Sequence, residues 1–278
     1  MTFPAWSLRF SLIRFVCRAL SDICFLIFVY IWPYRREVIT KNLKNAFPDH
    51  SQKENNQLLR ACYRHLADLI TEPVLMRLCR KRDLSRMVRY ENVSLLRELL
   101  AKGSDVVLMA SHCGNWEYLF SLPLIIDAEV LAVYSPVSPG FLNDALKKLR
   151  SRFGISLIPK KEWYRKTLQH TSEKPAVYIS VSDQRPARPG NQTVRFMNQT
   201  THVQSGAVRI AGRRAAAVVY LDVKKEKRNS YHFRFELLAE NASECCESQI
   251  ITAYYQHLEK TILRKPELWL WSHNRWKF

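Results

Sequence analysis

Val106-Val107-Leu108-Met109-Ala110-Ser111-His112-Cys113-Gly114-Asn115-Trp116-Glu117 is the stretch on which the fold turns. Its first five residues are apolar without interruption, the pattern of a strand buried on both faces of a parallel sheet. Polar residues and a glycine follow at once. Gly114 permits a tight turn, and the chain beyond it is read as entering a helix. In open α/β sheets ligands gather at the carboxyl ends of the strands, so residues 111–117 begin where a site belongs.

On either side of this stretch the same alternation continues. Strands are expected at 130–134, 156–158, 176–181, 216–223 and 231–238. The last of these alternates Tyr231, Phe233, Phe235 and Leu237 against His232, Arg234 and Glu236. Helices are expected at 141–153, 164–169, 203–213 and 246–263, with a polar loop at 224–230. Upstream, Pro48 stops one helix and Ser51 can cap the next, over 52–80. There Leu58, Leu59, Cys62, Leu66, Leu69 and Ile70 recur at helical spacing and are read as core. Strands alternating with helices predict an α/β fold with a largely parallel sheet flanked by helices.

The N-terminal stretch has a different character. Residues 10–32 are mostly apolar, but Arg14, Arg18 and Asp22 fall four apart and line one helix face, where Arg18 and Asp22 can pair. The unbroken apolar run, 23–32, is half of the ~20 residues that a span requires. Arginines lie on both sides of it, so no inside–outside asymmetry emerges. The expectation is a membrane-associated helix lying in the interface, with Trp6, Tyr30, Trp32 and Tyr34 at headgroup depth. The other reading is a buried helix docked on the domain. The chain thus divides into a membrane-anchoring helix, 1–33, and a domain, 34–278.

Composition narrows the function classes. The chain has 278 residues, with 43 Lys and Arg against 25 Asp and Glu, a net charge of +18. Such a balance fits nucleic acid, an anionic membrane face or an acidic protein partner. No helix–turn–helix, zinc-finger or RNP-like pattern accompanies it, so nucleic acid is not expected as a partner. The seven cysteines are odd in number and lack CxxC or Cys/His spacing, which argues against a disulfide framework and a structural metal. Cys113, beside His112, reads as a small buried filler rather than a nucleophile.

The chemistry-bearing pair is His112 and Glu117. On one regular helix, residues five apart point away from each other; across a strand, a turn and a helix they can converge. A histidine within hydrogen-bond reach of an alcohol removes its proton as attack develops. A carboxylate on the other ring nitrogen fixes the tautomer and stabilises the imidazolium. By itself, a histidine near a glutamate is more often structural.

The run His112-Cys113-Gly114-Asn115-Trp116-Glu117 closely resembles the HxxxxD/E motif of the lipid A biosynthesis acyltransferases, within the lysophospholipid and glycerol-phosphate acyltransferase superfamily. Further blocks carry the likeness over nearly the whole chain. They are Tyr34-Arg35-Arg36 with Asn42-Leu43 and Ala46-Phe47-Pro48, Arg152-Phe153-Gly154 with Leu157-Ile158-Pro159-Lys160-Lys161, and Asp183-Gln184. Trp269-Leu270-Trp271 with His273, Arg275, Trp276 and Lys277 completes them. The resemblance implies an O-acyltransferase without metal or organic cofactor, at the cytoplasmic face of the inner membrane. It would take an acyl chain from acyl carrier protein to a lipid acceptor hydroxyl, with His112 as general base and Glu117 its orienting partner. Two departures bear on the substrates: Tyr134-Ser135-Pro136 stands where relatives often have Tyr-Arg-Pro, and 185–195 replaces a glycine-rich run. A lysophospholipid, an amino-acid lipid or a pigment is the alternative acceptor.

Secondary substrate-binding candidates each keep a plainer reading. Asp183 and Gln184 could line the acceptor site or satisfy backbone groups. Arg152, Lys160 and Lys161 could hold a phosphate or stabilise charge near the thioester, or form a solvated basic face. Asn115 could donate near an oxyanion or cap a helix. Trp269, Trp271, His273 and Trp276 are expected to form a packed C-terminal seal, with His273 not a second base.

Overall fold

The computed structural model describes residues 5–190 and 192–277. Helix α1 (Ala5–Leu26) runs into a π-helical turn (Ile27–Ile31) and is followed by α2 (Arg36–Ala46) and α3 (Gln52–Leu78). Next come β1 (Val88–Glu91), α4 (Val93–Ala101), β2 (Val106–Ala110), a 3-10 helix (Trp116–Leu124), β3 (Glu129–Tyr134) and α5 (Gly140–Arg150). The chain continues through β4 (Ile155–Pro159), α6 (Trp163–Gln169) and β5 (Ala176–Val181) to a small hairpin, β6 (Thr193–Phe196) and β7 (Gln199–His202). It closes with α7 (Gly206–Arg213), β8 (Ala217–Lys227), β9 (Ser230–Ala239) and α8 (Glu247–Arg264).

Seven strands form one sheet in the order β1-β9-β8-β2-β5-β3-β4, and every neighbouring pair is parallel except β8 and β9. Helices flank it, and the fold is mixed α/β with a mostly parallel sheet. Strand β2 lies at the centre and is buried at all five positions, as its unbroken apolar run requires. Its register with β5 pairs Ala110 with Val181, so two residues further on His112 stands against Asp183.

Several elements differ from the sequence expectation. The loop at 224–230 shrinks to Arg228-Asn229, with Asn229 at positive φ, because the cross-strand pairing continues to Lys227 and Ser230. β1, α4 and the β6–β7 hairpin were not expected. The two strands of that hairpin have four residues each, too short for a period-2 pattern to stand out, and their turn is Met197-Asn198, both at positive φ. Helix α3 begins with the capping box that Ser51 suggested, completed by Glu54.

Helix α1 packs along α3 with its polar stripe inward. Arg18 and Asp22 do not pair: Arg18 Nε donates to Asn229 Oδ1 at 2.8 Å, and Asp22 pairs with Arg64 and Arg228. Docking of α1 on the domain gives each group a partner there, Asn229 of the β8–β9 turn for Arg18 and Arg64 and Arg228 for the half-exposed Asp22, in place of a pair four residues apart on one helix. The apolar face therefore points outward, with Leu8, Leu12, Phe15, Leu20, Ile23 and Ile31 exposed, Ile31 at 77%. On α3 the same inversion leaves Ile70, Val74 and Leu78 exposed, so Ile70 is not core. Tyr30 and Trp32 are exposed and Tyr34 is half-buried; the Trp6 side chain lies outside the described residues. Among the described residues, no helix is long and apolar enough to cross a membrane.

Candidate active site

His112 leaves the carboxyl end of β2, and Asp183 leaves that of β5. The shared register brings them together: His112 Nδ1 lies 2.6 Å from Asp183 Oδ1, and the His112 backbone N–H donates to Asp183 Oδ2 at 2.9 Å. Trp269 Nε1 donates to the same Oδ2 at 2.8 Å. Burial alone would raise the Asp183 carboxyl. The charge of His112 and the hydrogen bonds from its side chain, its backbone and Trp269 overcome that and bring it down to about 2. A carboxylate is acceptor-only, so Nδ1 must carry the proton toward Asp183. In the neutral ring Nε2 is then the free base, and it faces Gln184 Nε2 at 3.2 Å.

The carboxylate bonded to His112 is thus that of Asp183, and Glu117 is bonded elsewhere. Glu117 enters the 3-10 helix one residue after its start, and its carboxylate is held in a fork by Arg150 of α5, with Nη2–Oε1 at 2.5 Å and Nε–Oε2 at 2.9 Å. Burial lowers the Arg150 guanidinium and Glu117 raises it, with a net rise. Arg150 also lies over the Phe120 ring.

The turn between these residues is fixed by close packing. Gly114 sits at φ +60°, and a Cβ there would come within 2.6 Å of Val223 Cγ1 on β8. Its N–H donates to Leu268 O at 2.9 Å, Leu270 N–H donates to His112 O at 3.1 Å, and Cys113 bridges Trp269. The C-terminal tryptophans therefore do pack as a seal, and one of them also reaches the Asp183 carboxylate. Burial pushes the Cys113 thiol up, away from nucleophilic character. Burial takes the His273 imidazole down to about 4.

His112 opens onto a cavity of about 400 Å³ between the carboxyl ends of β2, β3, β4 and β5. Trp116, Phe120, Val133, Trp163 and Tyr164 give it an apolar wall; Arg150, Lys160 and Gln184 supply polar groups. Of the other sequence candidates, Lys161 is exposed outside this lining. Arg152 donates to the Met76, Arg77 and Cys79 carbonyls, capping α3, because the end of that helix leaves acceptors unfilled. Asn115 caps the 3-10 helix, accepting from Glu117 N–H at 3.0 Å; its Nδ2 donates to Glu72 Oε2 at 2.6 Å, and it lies outside the cavity lining.

Sequence reasoning missed Arg150, which is one basic residue among several in a basic amphipathic helix. It also missed Glu72, whose signal was a polar residue in register with His65 and Asp68 on the buried face of α3. Among the described residues no cluster of His, Cys, Asp and Glu has the makings of a metal site. The chain matches, over residues 3–278, the family model described as bacterial lipid A biosynthesis acyltransferase. No curated protein matches it significantly.

Proposed function

Since the chain belongs to the bacterial lipid A biosynthesis acyltransferase family and is an acyltransferase, we propose a specific reaction for it. It moves a fatty acyl group from the thioester of acyl carrier protein to a hydroxyl of a lipid A precursor, at the cytoplasmic face of the inner membrane. The observation that carries this reading is the His112–Asp183 pair at the mouth of a cavity with an apolar wall.

His112 Nε2 is the general base. The acceptor hydroxyl takes the place that Gln184 Nε2 holds beside the ring and hands its proton to His112 Nε2 as its oxygen attacks the thioester carbonyl. Asp183 stabilises the imidazolium that forms. The tetrahedral intermediate then collapses, the C–S bond breaks, and the imidazolium returns the proton to the departing thiolate. Lys160 in the lining places positive charge near the developing oxyanion. The apolar wall takes the acyl chain. Glu117 acts through Arg150, fixing the α5 side of the cavity beside Phe120.

Membrane association follows from α1. Its exposed apolar face, continued by Ile70, Val74 and Leu78 of α3, seats in the interface while the polar stripe holds the domain. The net charge of +18 favours anionic headgroups and an acidic carrier protein alike.

The test uses the purified protein with acyl carrier protein thioester and a lipid A precursor, with product mass read by mass spectrometry. A mass gain of one acyl group that disappears in His112→Ala is expected. A His112→Ala protein with near-normal turnover would remove the proposed base.

A further inference from the structure

Glu72 of α3 is fully buried, yet it lies outside the cavity and takes no part in the reaction as written. Three donors converge on its carboxylate. Asn115 Nδ2 reaches Oε2 at 2.6 Å, Asn229 Nδ2 reaches Oε1 at 2.9 Å, and the Tyr231 hydroxyl lies 3.2 and 3.1 Å from the two oxygens. The two asparagines are used with the same polarity. Asn115 accepts the Glu117 backbone N–H on its Oδ1, and Asn229 accepts Arg18 Nε–H on its own Oδ1 at 2.8 Å. Each amide thus accepts from an outer donor and gives its N–H to the central carboxylate.

An amide is shape-symmetric but not polarity-symmetric. The Glu117 N–H, which can only donate, and an ionised carboxylate on the Nδ2 side, which can only accept, hold the Asn115 amide in one orientation from its two ends. Glu72 is that carboxylate: burial pushes it up to about 7, while the Lys225 charge and the hydrogen bonds from Asn115 and Asn229 favour its ionised form. On the other side, Arg18 belongs to α1, and its Nη2 also donates to Arg228 O at 2.8 Å in the β8–β9 turn. Ser21 of α1 donates to Asp68 at 2.8 Å, one helical turn before Glu72 on α3, and Asp68 also accepts from Lys225 and Arg228. A continuous run of hydrogen bonds therefore joins the outward-facing helix α1 to the first residues of the 3-10 helix that follows His112.

We propose that Glu72 is the positioning residue of the catalytic turn, setting the polarity of Asn115 and through Asn229 tying α1 to that turn. This rests on the reading of His112 as the base, since what Glu72 holds is the segment between His112 and Glu117. Buried polar networks rigidify a site when every member is satisfied, and here the carboxylate is the member that satisfies three donors at once. A shift of about 1 Å in that segment lowers turnover by about 100-fold.

The experiment exploits the polarity. Glu72→Gln keeps the volume but offers one acceptor and one donor to three donors, so an asparagine must flip or lose its bond. The expected result is kcat lower by about 10- to 100-fold with little change in donor KM. Asn115→Asp alone sets two carboxylates against each other and is expected to be at least as impaired. When the two substitutions are combined, the introduced glutamine can donate to the introduced aspartate, whose second oxygen still accepts the Glu117 N–H. The Glu72→Gln/Asn115→Asp protein should therefore recover most of kcat. A role in packing alone predicts no such recovery.

The proposal is overturned if Glu72→Gln keeps wild-type kcat, or if the double variant folds yet shows no recovery. Should Glu72→Gln fail to fold, Asn115→Ala removes both the cap and its bond to Glu72 while leaving the Asn229 and Tyr231 bonds, and wild-type kcat in that protein overturns the proposal equally. For the link to α1, Arg18→Ala in detergent should lower kcat in the wild-type background and have no further effect in Glu72→Gln. Additive losses would sever α1 from the turn. Absence of acyl transfer by the wild-type protein itself would instead count against the reaction, not against Glu72.

Discussion

Replacing Asp183 by asparagine should silence the enzyme without unfolding it, and the reason can be worked through bond by bond. Asp183 accepts three hydrogen bonds, one on Oδ1 from His112 Nδ1–H and two on Oδ2 from His112 N–H and Trp269 Nε1–H. Asparagine must turn its NH2 toward one side or the other. Facing it toward the position of Oδ2 sets it against two donors that cannot move, leaving two buried N–H groups unpaired at about 1–3 kcal/mol each. Facing it toward His112 keeps all three contacts, provided that Nδ1 gives up its proton. The second arrangement wins by several kcal/mol. The proton then resides on Nε2, and the ring can no longer accept one from an alcohol. A wrong-tautomer histidine of this kind lowers kcat by about 10⁴-fold, equivalent to about 5.5 kcal/mol of barrier. The assay is steady-state acyl transfer over a pH series, with a thermal melt to establish folding. The melting midpoint should stay close to wild type, since every donor keeps a partner, and higher pH should not restore activity. An Asp183→Asn enzyme within about tenfold of wild type, or one rescued by raising pH, would refute the tautomer argument.

Other outcomes follow from the same geometry. His112→Ala should lower kcat by about 10²–10⁴-fold with the fold intact, read by turnover alongside circular dichroism. Glu117→Ala leaves the mostly buried Arg150 guanidinium unpaired and should cost about 3–5 kcal/mol in urea unfolding; a loss below about 1 kcal/mol would show that the fork contributes little. Asp183 has a folded-state value of about 2, below the ordinary 3.8. Its ionisation therefore stabilises the fold fully above about pH 4, by about 2 kcal/mol, and this is lost as pH falls toward 2. Acid unfolding of Asp183→Asn should be flatter across that window. Phe15→Glu with Leu20→Glu on the outward face of α1 should weaken partition onto phosphatidylglycerol vesicles, and high salt should release only part of the wild-type protein. Complete release by salt would mean an association that is electrostatic alone. Lys160→Glu should lower kcat more than it changes the donor KM, because it removes positive charge beside the developing oxyanion, whereas Lys161→Glu, outside the cavity, should leave kcat close to wild type.

The amino-acid sequence was enough to set the α/β class, most strands of the sheet and the strand end at which His112 stands. The unbroken apolar run 106–110, too short for a buried helix and cut off by polar residues and Gly114, reads as a doubly buried strand, and the residues that follow such a strand emerge at its carboxyl end. Alternation of such runs with helical spacing set the α/β class for the same local reason. Polar pairing was not legible in this way. His112 and Glu117 are five residues apart and looked like partners, yet Asp183 lies 71 residues on and reaches His112 only because β2 and β5 are adjacent in a given register. Arg150 reached Glu117, and Arg152 reached the end of α3, by the direction each leaves α5 and the turn after it. The face α1 presents was decided the same way: the arginine stripe found partners in the β8–β9 turn and α3, so the apolar residues were left outside. Apolar burial is set by each residue's own chemistry and shows in a local pattern. A hydrogen bond needs a specific partner at about 3 Å, and only the folded chain decides which distant residue stands there.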